Sequence, residues 1–189
     1  MPKNRQTVPR EERTGELLAA ATELFLSRGY DGATMADISS AAGVARANVY
    51  WYFPSKDHIF AAVMDRMLAR EIKALEEEHS DADAMTHLVR GLADMRVFRP
   101  LHIAMHERLL HSPEVAAAHD RFLDWIRRLV HELVDESDRP GLDRDLVADT
   151  AITLFEGFNV GAPLTRRGHD MMRFLLESVL DGHPVTRHP

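Results

Sequence analysis

Apolar residues recur along this chain at helical spacing and nowhere alternate in the period-two pattern of a strand. Over residues 10–28, Leu17, Leu18, Ala21, Leu24 and Phe25 fall on one helical face. Gly29, directly after Arg28, supplies a left-handed stop. Thr34 and Asp37 form a capping pair that opens a short second helix reaching about residue 42. Gly43 permits a turn, and a third helix follows over about 45–52. Pro54-Ser55 ends it, and Ser55 caps a fourth over about 56–78, with Ile59, Phe60, Val63, Met67 and Leu68 on its apolar face. Five more are predicted, over about 83–95, 100–110, 113–136, 143–160 and 168–181. Ser112-Pro113-Glu114 is a strong start signal: a capping hydroxyl, a first-turn proline and an acid at the positive helix end. The expected fold is all-α, with about nine helices. It divides into a three-helix domain with a helix-turn-helix over 1–55 and a larger helical domain over 56–189.

Charge changes the picture only through its distribution. The formal net charge is −7, an odd balance for a protein that would meet phosphate. Residues 1–56, however, carry seven basic and six acidic groups, so the acidic excess lies in the larger domain. Lys3, Arg5, Arg10 and Arg13 form a basic arm, which can be read as a solvated tail or as a DNA contact. There is no cysteine, which excludes disulfides, thiolate metal sites and cysteine nucleophiles. No apolar run approaches the roughly 20 residues that span a bilayer, and no apolar signal core follows the first residues. A soluble cytoplasmic protein is expected, with no membrane partner.

The third helix carries the chemistry. Ile38, Ala41, Ala42, Val44, Val49 and Phe53 can supply a small core that fixes the second and third helices on the first. Arg46, Ala47, Asn48, Tyr50 and Trp51 then project from it or from its flank. An arginine can grip guanine O6 and N7 with two hydrogen bonds, and an asparagine can do the same for adenine N6 and N7. Ala47 is small enough for close approach to base edges. Tyrosine hydroxyls and Lys56 suit phosphate oxygens, as does Thr34 at its helix N-terminus. The bland alternative is that Tyr50, Trp51, Tyr52 and Phe53 form a hydrophobic seam; Phe53 fits it best.

In order and spacing, Gly29-Tyr30, Thr34, Ile38, Ala41-Ala42-Gly43-Val44, Val49-Tyr50-Trp51-Tyr52-Phe53, Lys56 and Ile59 resemble the TetR family of transcriptional regulators. The resemblance is strong over about residues 10–60. It implies a recognition helix over 45–51, with Tyr50, Tyr52 and Lys56 as phosphate contacts. Ala45 stands where the family usually has serine or threonine, so this helix lacks a side-chain cap. Ala47 replaces a common glycine and Tyr52 a frequent histidine. These departures bear on operator preference.

The same resemblance implies that the larger domain binds a ligand and dimerises. The helices over about 143–160 and 168–181 are apolar on more than one face, through Leu146, Val147, Ile152, Phe155, Met171, Phe174 and Leu176. Paired with their copies they would form a four-helix homodimer interface, and the two-fold would suit a palindromic double-stranded DNA operator. The alternative is burial within one monomer. Phe98, His102, Met105, His106, Phe122, Trp125, Phe155 and Asn159 are candidates to line a pocket for an unknown small-molecule effector. His102 and His106 stand one helical turn apart, a legitimate metal-ligand spacing, with Glu107 and His111 nearby. Eleven histidines make chance pairs expected, so no metal site and no cofactor is assigned. His119 and His131 have no evident partner and read as surface groups.

The function expected is a homodimeric repressor released from its operator by a small molecule, not an enzyme. Two other readings compete with it. One is a metal-dependent enzyme built on His102, His106 and Glu107, although no nucleophile elbow, phosphate loop or zinc-protease motif is present. The other is a helical interaction module that does not bind DNA.

Overall fold

The computed structural model describes residues 9–77, 98–137, 141–160 and 167–180. Among the described residues there are eight helices and no strand. They are α1 (Arg10–Gly32), α2 (Met35–Ala41), α3 (Arg46–Tyr52), α4 (Lys56–Glu77), α5 (Arg99–Arg108), α6 (Pro113–Glu136), α7 (Arg144–Val160) and α8 (Arg167–Leu180). The helix expected over 83–95 lies outside the described residues. None of the described helices is long and apolar enough to cross a membrane.

The predicted boundaries hold where local chemistry sets them. At Gly29 the backbone leaves helical geometry with φ 72°, and one further turn carries the chain to Gly32. Only glycine adopts that left-handed angle without a steric penalty. Thr34 and Asp37 form the full capping box: the Thr34 hydroxyl accepts from Asp37 N–H at 3.1 Å, and the Asp37 carboxylate accepts from Thr34 N–H at 2.9 Å. The Thr34 hydroxyl also donates to that carboxylate, and this bond first, then the backbone one, holds Asp37 below the usual carboxylate range. Thr34→Ala removes one bond of the pair, so we expect a loss of about 1 kcal/mol in urea unfolding. An unchanged midpoint would mean that tertiary packing alone sets this end of α2.

The α2–α3 turn is clasped from both sides. Val44 N–H donates to the Ser39 carbonyl at 3.0 Å, and the buried Ser39 hydroxyl donates to the Val44 carbonyl at 2.6 Å. Gly43 takes the left-handed φ of 63° between them. As expected, Ala45 leaves α3 with no side-chain cap. Ser55 and Ser112 accept from His58 N–H and Val115 N–H, capping α4 and α6.

Two apolar clusters fill the interior. The first joins Leu17, Phe25, Ile38, Val49, Ile59, Phe60, Val63, Leu101 and Met105. It therefore runs from the three N-terminal helices across residue 55 into α4 and α5. Val44 and Phe53 are buried in it, whereas Ala41 is exposed, because the short α2 turns only one face inward. The second cluster joins Phe122, Trp125, Ile126, Val130, Val147, Ile152, Phe155 and Leu176, from α6, α7 and α8. On those last two helices Leu146 and Phe174 are each 63% exposed and Met171 is 43% exposed, so an apolar face is left open to solvent.

A polar junction ties the two halves together. The Asp57 carboxylate, near the start of α4, accepts two hydrogen bonds from Arg108 at the end of α5, at 3.2 and 2.7 Å, and a third from the Tyr30 hydroxyl. The Lys56 ammonium donates to the Tyr30 carbonyl at 2.9 Å and sits 3.9 Å from the centre of the Tyr30 ring. Burial pushes Asp57 up, but the hydrogen bonds from Arg108 and Tyr30 outweigh it and hold its carboxyl below the usual range. Burial and the Asp57 contact together raise the Tyr30 phenol well above its ordinary value.

Candidate nucleic-acid interface and ligand cleft

α3 is a two-faced helix. Val49 is fully buried and anchors it, while Ala45, Arg46, Ala47 and Asn48 are exposed on the opposite side. Tyr50 is 41% and Trp51 63% exposed, so neither belongs to the hydrophobic seam that was the alternative reading. Tyr52 does belong in part. It is half-buried against the first apolar cluster and meets the Trp51 ring edge-on at 4.8 Å. Arg10, from the start of α1, lies over the Trp51 ring with its guanidinium carbon 4.6 Å from the centroid. Arg10 of the basic arm is thus tied to this surface, whereas Arg13 pairs with Glu16 along α1.

Thr34 is exposed at the start of α2, with its hydroxyl engaged in the capping box. Lys56, expected to contact phosphate, also has a partner within the chain. Its ammonium is part-buried on Tyr30, because α4 starts directly over the end of α1. A helix with one buried anchor and an exposed arginine, asparagine and small residue has the chemistry to read base edges in a major groove.

A narrow cleft lies between α4, α5 and α6. Phe98, His102, Met105, Phe122 and Trp125 line it as expected, joined by Met64, Met67, Leu68, Glu71 and Ala118. Met67 and Leu68 belong to the apolar face of α4 expected from the sequence. His106 and Phe155 are not part of its lining, and the side chain of Asn159 lies outside the described residues. Phe155 instead packs behind His102, with ring centroids 5.6 Å apart.

The histidines correct the sequence reading most. His119 is buried, not a surface group, and His131 pairs with Asp145 at 2.9 Å. Glu107 and His111 are exposed and stand away from His102 and His106. The acid that meets them is Glu156 of α7. Its carboxylate lies 3.2 Å from His102 Nε2 and 3.5 Å from His119 Nε2, and it also contacts His106 Nε2. Burial pushes Glu156 up, but the adjoining imidazoles of His102 and His119 outweigh it and hold the carboxyl well below its usual range. Burial lowers His106 against the pull of Glu156.

Comparison with known proteins agrees with this arrangement. Residues 17–63 match the family model described as bacterial regulatory proteins, tetR family. The transcriptional activator FasR of Mycolicibacterium smegmatis is 46% identical over 59 residues, covering 31% of this chain and 27% of that protein. The transcriptional repressor KstR2 of the same organism is 27% identical over 169 residues, 81% of this chain and 82% of its own length. A TetR transcription regulator from Haloarcula marismortui shares the fold, with a TM-score of 0.75 at 17% identity over 91% of this chain and 98% of its own. These relatives are regulators, which favours neither a metal-dependent enzyme nor a module without DNA binding. With the helix-turn-helix of α2 and α3 matched to the TetR family in sequence and the helical domain behind it matched in fold, the chain is a DNA-binding transcriptional regulator similar to those of the TetR family.

Proposed function

We propose that this chain is a cytoplasmic homodimeric repressor that holds a palindromic operator and releases it when a small molecule fills the cleft between α4, α5 and α6. The observation that carries the reading is the exposed face of α3, where Arg46 and Asn48 stand free of the core beside a fully buried Val49. In this reading residues 1–55 bind DNA and residues 56–189 bind the effector and the partner copy. Arg46 and Asn48 address bases, Ala45 and Ala47 allow close approach, and Trp51 flanks the groove. Thr34, Tyr50, Tyr52 and Lys56 face the phosphates.

The open apolar face of Leu146, Met171 and Phe174 on α7 and α8 supports pairing with a second copy. A two-fold dimer would set its two α3 helices on half-sites about 34–36 Å apart, or a multiple of that. Release follows from α5, which borders the cleft with His102 and Met105 and ends in Arg108, bonded to α4 at Asp57. An effector that prefers one position of α5 then biases α4 and the domain in front of it. It can do so only through unequal affinity for the two arrangements.

The test is selection of binding sequences from a random duplex pool with the full chain, followed by titration of Arg46→Ala and Asn48→Ala. We expect each variant to weaken the selected site by about tenfold, the lower range of one lost bidentate base contact, and to relax preference at one position per half-site. If neither substitution changes affinity or preference, α3 does not read the operator.

A further inference from the structure

We propose that His102, His106, His119 and Glu156 bind a divalent transition metal of the zinc class in the wall of the cleft. The side chains come from three helices. His102 and His106 are one turn apart on α5, His119 lies on α6, and Glu156 lies on α7. The ligand atoms of His102, His106 and Glu156 all lie within 4.8 Å of one another. His119 Nε2, 3.5 Å from the same carboxylate, supplies the fourth. Two donors on one metal with bonds of about 2.0–2.1 Å stand roughly 3.3 Å apart in a tetrahedron. The 3.2 and 3.5 Å separations of His102 and His119 from Glu156 match that edge. The widest pair, up to 4.8 Å apart, has to draw in by about 1.5 Å to reach the same tetrahedral edge.

Hydrogen-bond geometry is incomplete within the cluster. His102 Nδ1 and Nε2, His106 Nε2, His119 Nε2 and Glu156 Oε1 are all buried with no partner in hydrogen-bond geometry. Buried polar atoms are ordinarily satisfied, and here three imidazoles share a single carboxylate at ion-pair distance. Phe122 and Phe155 pack on the His102 ring at 5.8 and 5.6 Å and form an apolar collar. Three imidazoles, one carboxylate and no thiolate suit zinc, nickel or cobalt over calcium or magnesium. His102 also lines the cleft, so an ion held there forms part of the surface an effector meets. The metal site stands independently of the repressor reading, since binding of an ion is read without DNA.

The experiment is titration of the chelator-stripped full chain with Co²⁺, followed by visible absorption, and with Zn²⁺, followed by calorimetry and thermal unfolding. The proposal expects one ion per chain, an intense four-coordinate cobalt spectrum and a Tm raised by several degrees. Glu156→Gln and His106→Gln should each weaken binding by about 100-fold or more, above the range seen for outer-shell changes. Glu107→Gln and His111→Gln, exposed on or beside α5, should leave it unchanged. Circular dichroism checks the fold of each variant. Should a cluster variant unfold, the wild-type cobalt spectrum decides: four-coordinate absorption supports the site, and a weak octahedral spectrum overturns it. Absence of stoichiometric binding, or binding that survives both cluster substitutions in folded protein, also overturns it and leaves only adventitious ions on surface histidines.

Discussion

Phe60→Ala is expected to lower the stability of the chain by about 3–5 kcal/mol, the range for deleting a buried phenylalanine ring. Phe60 is fully buried at the meeting of α1 and α4. Its ring meets Phe25 edge-on at 5.3 Å and Tyr30 at 4.9 Å. The cost has two parts: lost burial, and a cavity that neighbouring helices cannot close. The second part falls on function as well, because Tyr30 is held by Phe60 on one side and by Lys56 and Asp57 on the other. A ring that tips into the cavity loosens α4 against the helix-turn-helix. Urea unfolding measures the loss, and duplex binding below the transition measures the loosening. Leu26→Ala on the same α1, already 42% exposed, should stay within about 0.5 kcal/mol of the parent. A loss below about 1 kcal/mol for Phe60→Ala would show that the two domains do not depend on this shared core.

Much of this molecule was legible in the sequence because local chemistry fixed it. The capping box at Thr34 and Asp37, the break at Gly29, the turn at Gly43 and the missing cap at Ala45 each involve residues no more than five apart, and each lies where the pattern put it. The exposed face of α3 was legible too, since Val49 is its sole fully buried anchor and the polar groups around it have nowhere else to point. The histidine cluster was not. His102 and His106 announced themselves by spacing, but their acid was sought on the same helix, at Glu107. The acid that meets them, Glu156, is fifty residues further on. A signal was present: Glu156 lies between Phe155 and Gly157 on a helix that is otherwise mostly apolar at that end, and an acid there needs a cationic or metal partner to be tolerated. His119 gave no such sign. Its burial follows from how α6 crosses α5, which no local pattern specifies. The internal partner of Lys56 was not legible either: its match to a family motif implies a phosphate contact, and only the start of α4 over Tyr30 shows that its ammonium also donates within the chain.

Asp57→Ala should cost about 2 kcal/mol and, on the repressor reading, weaken the link between effector and operator. The carboxylate joins three elements, accepting from Arg108 on α5 and from Tyr30 on α1 while standing near the start of α4. Full burial would make the loss of one partner worth about 3–5 kcal/mol. The side chains of Asp57 and Arg108 are 16% and 31% exposed, so water screens the pair and the smaller figure applies. A double-mutant cycle with Arg108→Ala should return a coupling of about 1 kcal/mol, because the two substitutions remove one shared interaction. Acid offers an independent check. The folded-state pKa of Asp57 is depressed, so its contribution is present above the ordinary carboxylate value of about 3.9 and disappears as pH falls through the lower folded value. The stability gap between parent and Asp57→Ala should therefore be full at neutral pH and narrow below about pH 4. A gap that is constant with pH would mean that Asp57 stabilises the junction by packing and not by charge. α5 would then reach the DNA-binding domain through the shared apolar core of Leu101, Met105 and Phe60 instead.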